Sequence, residues 1–434
     1  MIKWIIIFIC SYSFSQEIIT LDKAILYTLE NSHEIAIAKN NDKIIDNNTS
    51  LGAAGLLPNL IISSGYNASL SNTNLEFNPF VDFGTEEIDV SQALSSSLSS
   101  SVGFNYTLFN GFNGIYTLKK FDYLDKSSKE NLRFQIENKI IDVVVKYYEF
   151  LNIKQTNNVL QETYQISKDR YNRLLERYDF GSISNLELLN AEADLNTDLI
   201  NLNNSSLNLK ICKNNLHFLM GFSDTINTII EDKIIFNDNI NLDDLKIKSA
   251  LNNSTILMAQ LSHKIAEQDL KISKSSIAPK VDLITSYSFN QVGSETSFIS
   301  KQSDQSFFGG INIQIPIFTG NIRRSAIKNS KINLDSKRHE LESIQDNIYI
   351  TLVNTYESYI EGLNNLELQE RSLNTFEINF EKSKDLYLIG QLSSVDFRES
   401  QVNLMNFKLL YSTNLYNTKI QEFILYQLSG LLNY

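Results

Sequence analysis

VGFNYTLFNG, residues 102–111, and INIQIPIFTG, residues 311–320, are the stretches whose reading decides the fold. In the first, Val102, Phe104, Tyr106 and Leu108 alternate with Gly103, Asn105 and Thr107; in the second, Ile311, Ile313, Ile315 and Ile317 alternate with Asn312, Gln314 and Pro316. A period of two is the signature of a strand with one apolar face. Directly after each stretch the pattern changes. From Gly111 to Tyr178 there is no Pro and no Gly except Gly114, and from Gly320 to Tyr387 only Gly362 interrupts. Apolar residues now recur three and four apart, at Ile136, Ile140, Val144, Tyr147 and Leu151, and at Ile344, Ile348, Leu352, Tyr356, Tyr359 and Leu363. Such stripes are those of packed, coiled-coil-like helices, and a helix of this length spans about 100 Å at 1.5 Å per residue. Neighbouring Ile141, Val145 and Tyr148 make a second stripe, as a helix in a cylinder wall would require.

The two stretches belong to an internal repeat. An offset of 209 aligns Phe109 with Phe318, Gly111 with Gly320, Tyr147 with Tyr356, Tyr178 with Tyr387, Gly181 with Gly390 and Gly221 with Gly430, without a gap. Upstream the offset slips to 221, matching Leu57-Pro58 to Ala278-Pro279. Copies of about 200 residues are too long for solenoid units and read as a duplicated half-structure. Each half has the order helix, strand, loop, strand, long helix, turn, helix. The first repeat covers residues 16–221, with a helix from Leu21 to Leu57, strands at about 59–70 and 97–109, a long helix 111–178 and a helix 182–221. A connector, 222–241, leads to the second repeat, 242–434: a helix from Leu242 to Ala278, strands at about 280–290 and 308–318, a long helix 320–387 and a helix 391–430. Pro58 and Pro279 stop the first helix of each half, because proline cannot continue one.

In the remaining strands Leu60, Ile62, Tyr66, Ala68 and Leu70 oppose Ser63, Gly65, Asn67 and Ser69, and Val281, Leu283, Tyr287 and Phe289 oppose Asp282, Ser286, Ser288 and Asn290. Four strands of this kind fit a membrane barrel with a lipid face and a wet lumen; a soluble sandwich predicts the same alternation in any one of them. A barrel needs at least about eight strands, so four per chain implies a barrel shared between subunits, since open edges cannot face lipid.

The 434 residues are 42% hydrophobic with a formal charge of -12, and no Lys/Arg cluster stands out, which argues against a nucleic-acid partner. Residues 1–15 read as an export signal: Lys3, the apolar run Trp4 to Cys10, then Ser13-Phe14-Ser15 before Gln16. Ile9 before Cys10 argues against a lipoprotein site, and cleavage leaves Cys212 without a partner for an intrachain disulfide. Past the signal no apolar run approaches the length of a spanning helix, so entry into a membrane has to be by strands.

The whole chain after the signal resembles the TolC-type outer-membrane factors (outer membrane efflux proteins) of Gram-negative bacteria. The resemblance rests on the two repeats, Pro58 and Pro279 before strands, the junctions Leu108-Phe109-Asn110-Gly111 and Ile317-Phe318-Thr319-Gly320, and the turns Tyr178-Asp179-Phe180-Gly181 and Tyr387-Leu388-Ile389-Gly390. It implies a mostly helical homotrimer with a twelve-stranded membrane β-barrel and a periplasmic α-helical barrel. It also implies a passive exit duct for a tripartite efflux pump or type I secretion system. Its partners would be outer-membrane lipid, a periplasmic adaptor (membrane fusion) protein and a proton-driven or ATP-driven inner-membrane pump. The alternative from another class is an exported periplasmic coiled-coil scaffold or adaptor without a pore.

His33, His217, His263 and His339 are scattered, and no metal, nucleophile or phosphate-loop pattern is present, so neither catalysis nor a cofactor is expected. A duct needs a gate instead. Asp396 and Glu399 lie three apart on one helical face after the second turn. By resemblance they match an acidic pair that rings the periplasmic constriction; the bland reading is a solvated helix face. Tyr387 holds the position of a latching tyrosine in that family, or is simply a packed aromatic at a helix end. Leu392 stands where the family's latching arginine is expected, so the charged half of that latch is absent. Gly181 and Gly390 supply left-handed turn residues, and the resemblance makes these turns the adaptor contact, with Ser182, Ser184, Gln391 and Ser393 beside them. Residues 71–96, with Pro79, Phe80 and Phe83, and about 292–306 read as external loops.

Overall fold

The computed structural model describes residues 18–76, 87–222, 229–237, 239–295 and 299–432. The expected export signal (1–15), Pro79, Phe80, Phe83 and residues 223–228 and 238 of the expected connector lie outside these. In chain order the elements are β1 (Ile18–Ile19), α1 (Leu21–Asn31), α2 (His33–Asn48), β2 (Asn59–Glu76), β3 (Glu87–Phe109), α3 (Asn113–Asp179), α4 (Asn185–Leu219), β4 (Ile229–Ile230), α5 (Leu242–Asn252), α6 (Ser254–Ser275), β5 (Lys280–Ser294), β6 (Lys301–Gln314), α7 (Ile322–Leu388) and α8 (Ser394–Leu428). Helix dominates. α3 and α7 each have 67 residues, α4 and α8 each 35.

The chain forms two compact units, each built from both halves of the sequence: Met1–Asn41, Lys129–Met258 and Glu342–Tyr434 in the first, and Asp42–Ser128 and Ala259–Leu341 in the second.

Two expected helices are each broken in two. Leu21–Leu57 is interrupted at Ser32 and ends at Asn48; Leu242–Ala278 is interrupted at Asn253 and ends at Ser275. Ser32 and Asn253 are extended (φ -68, ψ 118; φ -64, ψ 121), and each ends one helix while capping the next. Ser32 Oγ accepts from the Ile35 amide at 3.4 Å and Asn253 Oδ1 from the Ile256 amide at 3.1 Å. A short polar side chain that satisfies an orphan N–H makes the break tolerable.

In the first unit the core gathers Tyr147, Leu151, Leu216, Met220 and Tyr416. Tyr147 donates to the carbonyls of Ile19 (3.2 Å) and Glu231 (2.7 Å), fixing the short parallel pair β1–β4 against α3. A second cluster joins Leu245, Leu352, Tyr359 and Leu425, where the Tyr359 hydroxyl donates to the Asn237 carbonyl at 3.0 Å. Burying a large side chain of this kind contributes roughly 1.5–3 kcal/mol each.

In the second unit the sheet order is β2-β3-β5-β6, antiparallel throughout. Ser63, Ser101, Ser288 and Ser306 form one row across all four strands, and in the next Gly103 faces Ser286, so this side carries mostly small polar residues, with Ile61 and Phe308 at the outer ends of that second row. Leu60, Ile62, Tyr66, Val102, Tyr287 and Ile311 share the other and are exposed. On that apolar side the hydroxyls of Ser64 and Ser100 bond each other at 2.9 Å, which removes the cost of leaving them unpaired in an apolar medium. β2 and β6 are the sheet's edges, unpaired on their outer sides among the described residues. The strands also differ from expectation in length. β2 and β3 continue well into 71–96, and β5 and β6 into 292–306. β6, in contrast, stops at Gln314 rather than reaching 318, because Pro316 has no N–H for a ladder and constrains Ile315 before it. Among the described residues no helix is long and apolar enough to cross a membrane.

Candidate functional site

The candidate residues all lie in the first unit, around the turns α3–α4 and α7–α8. α3 ends in a Schellman arrangement: the Gly181 amide donates to Tyr178 O at 2.8 Å and the Ser182 amide to Arg177 O at 2.8 Å. α7 ends alike, with Gly390 N–H to Tyr387 O at 3.1 Å and Gln391 N–H to Leu386 O at 2.8 Å. Both glycines are left-handed (φ 67 and φ 78), and no atom lies within 4 Å of where a Cβ would stand. Ser184 then caps α4 by accepting from the Glu187 amide at 3.3 Å, and Ser393 caps α8 by accepting from the Asp396 amide at 3.1 Å. Ser182, Ser184, Gln391 and Ser393 need no special fold to appear here; they are what a helix stop and restart require, and Ser182, Gln391 and Ser393 are exposed. Phe180 beside the first turn is 86% exposed.

Asp396 and Glu399 are both exposed on the first two turns of α8. Their surroundings differ. The Asp396 carboxylate accepts from Ser393 Oγ at 2.7 Å, completing a reciprocal cap, whereas no ion pair joins Glu399 to a cation among the described residues. Tyr387 is buried. It stacks on Phe397 with centroids 4.6 Å apart and planes 4° from parallel, and Phe397 stacks on Phe380 at 5.7 Å. Burial pushes its hydroxyl pKa up, with Arg170, Ser394, Arg173 and Arg177 acting the other way. Leu392 packs against this same cluster.

The charged contacts lie one helix turn away, among residues the sequence did not single out. Arg398 makes a two-pronged pair with Asp198, at 2.6 and 2.8 Å, and also donates to Ser167 Oγ at 3.0 Å. Arg170 pairs with Asp194 and donates to the Ser394 carbonyl at 3.2 Å. Gln401 donates to the Thr163 carbonyl at 2.9 Å. Arg170, Asp198 and Gln401 are all buried, so this network ties α8 to both α3 and α4. Asp194 and Asp198 are one turn apart on α4, the spacing that lets two carboxylates serve one cluster. Arg398 lies between Asp396 and Glu399 in sequence, and the helix turns it inward while they face out. That inward face was the available signal, since a helix period starting from the buried Ser394 and Phe397 includes Arg398 and Gln401.

The family model described as outer membrane efflux protein matches residues 25–222 and 247–431. Outer membrane protein TolC of Escherichia coli (strain K12) is 21% identical over 308 residues, 68% of this chain and 62% of that protein. The chain thus spans less than two thirds of that relative's length. Outer membrane efflux protein BepC of Brucella suis biovar 1 is 21% identical over 333 residues, 76% of this chain and 67% of that protein. Among solved structures, the Campylobacter jejuni CmeC outer membrane channel superposes with a TM-score of 0.80 at 16% identity, covering 95% of this chain and 87% of the other. The outer membrane protein VceC of Vibrio cholerae does so with a TM-score of 0.76 at 14% identity, covering 94% and 96%. At such identities the superpositions speak to the fold.

Proposed function

The chain belongs to the outer membrane efflux protein family, and on that premise we propose that it is the exit duct of a tripartite pump or type I secretion system. The observation that carries this reading is the four-stranded sheet. Its apolar side is exposed and both its edges are unpaired among the described residues. Unpaired N–H and C=O groups cannot face hydrocarbon, so the edges must meet other copies. Three copies give twelve strands, enough to close a barrel. The helices support the same assembly: Ile200, Leu207, Ile211 and Phe218 form an exposed apolar stripe along α4, at coiled-coil spacing and uncovered within the chain. The equal lengths of α3 and α7, and of α4 and α8, support a duplicated half that alternates around the ring.

In this reading the Gly181 and Gly390 turns face the periplasm and meet an adaptor, which joins the duct to an inner-membrane pump. Their open surroundings and exposed Phe180 suit a docking surface. Asp396 and Glu399 of three copies would bring six carboxylates around one axis, and Tyr387 would brace them from within through Phe397. Purified protein should run as a heat-modifiable trimer from the outer-membrane fraction and give stable single-channel conductance in planar bilayers. A soluble periplasmic product without conductance would overturn the duct in favour of a scaffold.

A further inference from the structure

One surface of the second unit is left unexplained by channel assembly. On α7, Arg324, Lys328 and Lys331 stand at i, i+4 and i+7, and so form one cationic stripe. All three are exposed, and no ion pair joins them to a carboxylate among the described residues. Arg323, Arg324, Lys328 and Lys331 fall within nine residues of sequence, and the helix brings the last three onto one face. α6 lies alongside, joined by the Ser273–Ser330 hydroxyl contact at 2.7 Å, and brings exposed Lys271 and Lys274 to the same end of the unit. The stripe begins directly where the chain leaves the sheet. Between the end of β6 and the start of α7, Ile317 is 94% exposed and Phe318 79%, and Ile322, the first residue of α7, is 73% exposed.

The first half has no equivalent. At the 209-residue offset Arg324, Lys328 and Lys331 correspond to Ile115, Lys119 and Asp122. Of the cations there Lys119 stands alone on that face, while Lys120 is paired with Asp269 at 2.7 Å and Lys126 with Asp122 at 2.8 Å. The stripe is therefore not a by-product of the helical scaffold. It is also contrary to the overall charge of -12.

Exposed apolar side chains beside unpaired cations, next to strands whose apolar face suits lipid, are the combination that binds an anionic bilayer surface. Seven residues of helix cover about 10 Å, comparable with the reach of a surface potential at physiological salt. We propose that Arg324, Lys328 and Lys331 bind the anionic phospholipid headgroups of the leaflet facing the periplasm, with Ile317 and Phe318 seated among the acyl chains. This rests on the duct reading, which puts the strands in the outer membrane and the helices beneath it.

The test is a titration of the purified full-length protein in a non-ionic detergent with short-chain phosphatidylglycerol or phosphatidylcholine, with bound lipid counted by native mass spectrometry. Wild type should prefer phosphatidylglycerol, and R324Q/K328Q/K331Q should weaken its binding about a hundredfold, each cation near a surface being worth roughly fivefold. The charge-conserving R324K/K328R/K331R should keep the preference, and R371Q/K382Q/K384Q, the same charge loss farther along α7, should leave it intact. Equal binding of both lipids by wild type, or an unchanged preference in the glutamine variant, overturns the assignment. So does a glutamine variant that falls from trimer to monomer before lipid is added, which would make the stripe a contact between copies. If wild type conducts in bilayers yet shows no headgroup preference, only the lipid assignment falls; if it neither inserts nor trimerises, the duct reading falls and the lipid site with it.

Discussion

At the Gly181 and Gly390 end of the first unit, α8 is held to α3 and α4 by buried charge: Arg398 on Asp198, Arg170 on Asp194. At the Gly221 and Gly430 end the same kind of turn is held by close packing of the glycines, on the Asn31 side chain at the first and on the Asn252 backbone at the second. Gly221 and Gly430 share the left-handed geometry (φ 78 and φ 65) and the same bond pattern, with Phe222 N–H to His217 O at 3.0 Å and Leu431 N–H to Tyr426 O at 2.8 Å. There, however, a Cβ would run into Asn31 at the first and come within 2.5 Å of the Asn252 carbonyl at the second. Asn31 and Asn253 then seal the helix ends, donating to the carbonyls of Met220 (3.1 Å) and Leu428 (3.0 Å). One local turn thus serves two purposes. A buried ionic contact depends on both partners staying in place, whereas a glycine in close contact depends on the absence of a Cβ. The charged end is therefore sensitive to the loss of a partner and the packed end to the gain of an atom.

The largest expected effect breaks the charged end. Arg398→Met should destabilise the protein by about 3–5 kcal/mol, because it leaves Asp198 buried without its partner. Denaturant midpoints from circular dichroism measure this. Adding Asp198→Leu should recover much of the loss, since a buried pair replaced by apolar residues is often near neutral. No recovery in the double variant would mean that the pair's geometry, rather than its uncompensated charge, carries the stability.

Next comes the packed end. Gly430→Ala and Gly221→Ala should each cost about 2–4 kcal/mol, combining left-handed strain with overpacking. Gly181→Ala and Gly390→Ala have open space around them and should cost only about 1 kcal/mol, the strain alone. If all four cost the same, the distinction between the two ends fails.

Much of this was legible from residues alone. The turn glycines and the uninterrupted runs between them give the ends of α3, α4, α7 and α8 to within about three residues, since glycine is the residue that ends a helix left-handed. The strand faces follow from alternation. Ser32 and Asn253 stand in polar runs, Asn31-Ser32-His33 and Asn252-Asn253-Ser254, but no Gly or Pro marks a stop there, so each helix reads as continuous until the cap hydrogen bonds show the break. β3 begins at Glu87, ahead of its clear alternation, because Ser95, Ser96 and Ser97 pair in the ladder without an apolar signal and the register shift between Ser71 and Thr73 separates Ile88 and Val90 from the alternation that follows. At the site, the search for exposed carboxylates found Asp396 and Glu399 and passed over Arg398, which pairs with residues some 200 positions away in sequence. The helical period marks Arg398 as inward-facing, but nothing in it announces partners so far away in sequence.

At the charged end, Asp396→Ala with Glu399→Ala tests whether exposed carboxylates serve conduction. The loss of the reciprocal cap should cost about 1 kcal/mol. If these groups ring a constriction, cation selectivity and block by divalent ions in planar bilayers should both fall, because fixed negative charge concentrates cations in a narrow path. Asp396→Asn with Glu399→Gln, which keeps side-chain size and a capping oxygen, separates the two effects: selectivity should fall while stability holds. Unchanged reversal potentials in both variants would reduce the acidic pair to a helix cap and its neighbour.

The smallest effect belongs to the packed end. His217 is buried there, edge-on to Phe222 with centroids 6.0 Å apart, and burial together with Lys213 lowers its pKa from the ordinary 6.5. The folded protein therefore holds this imidazole neutral where the unfolded chain would already bind a proton. For a group whose folded pKa is depressed, the stability contribution is complete above the unfolded value and is lost as pH falls towards the folded one. Wild type should lose stability on acidification below about pH 6.5 more steeply than His217→Gln, whose side chain does not titrate. Carboxylates elsewhere titrate in both proteins, so the difference between their denaturant midpoints, followed from about pH 7.5 down to pH 5, isolates the histidine. Because Arg398 and Asp198 lie at the other end of α4, that difference should persist in the Arg398→Met background. If it vanishes there, the two ends are coupled through α4 and do not act as separate supports.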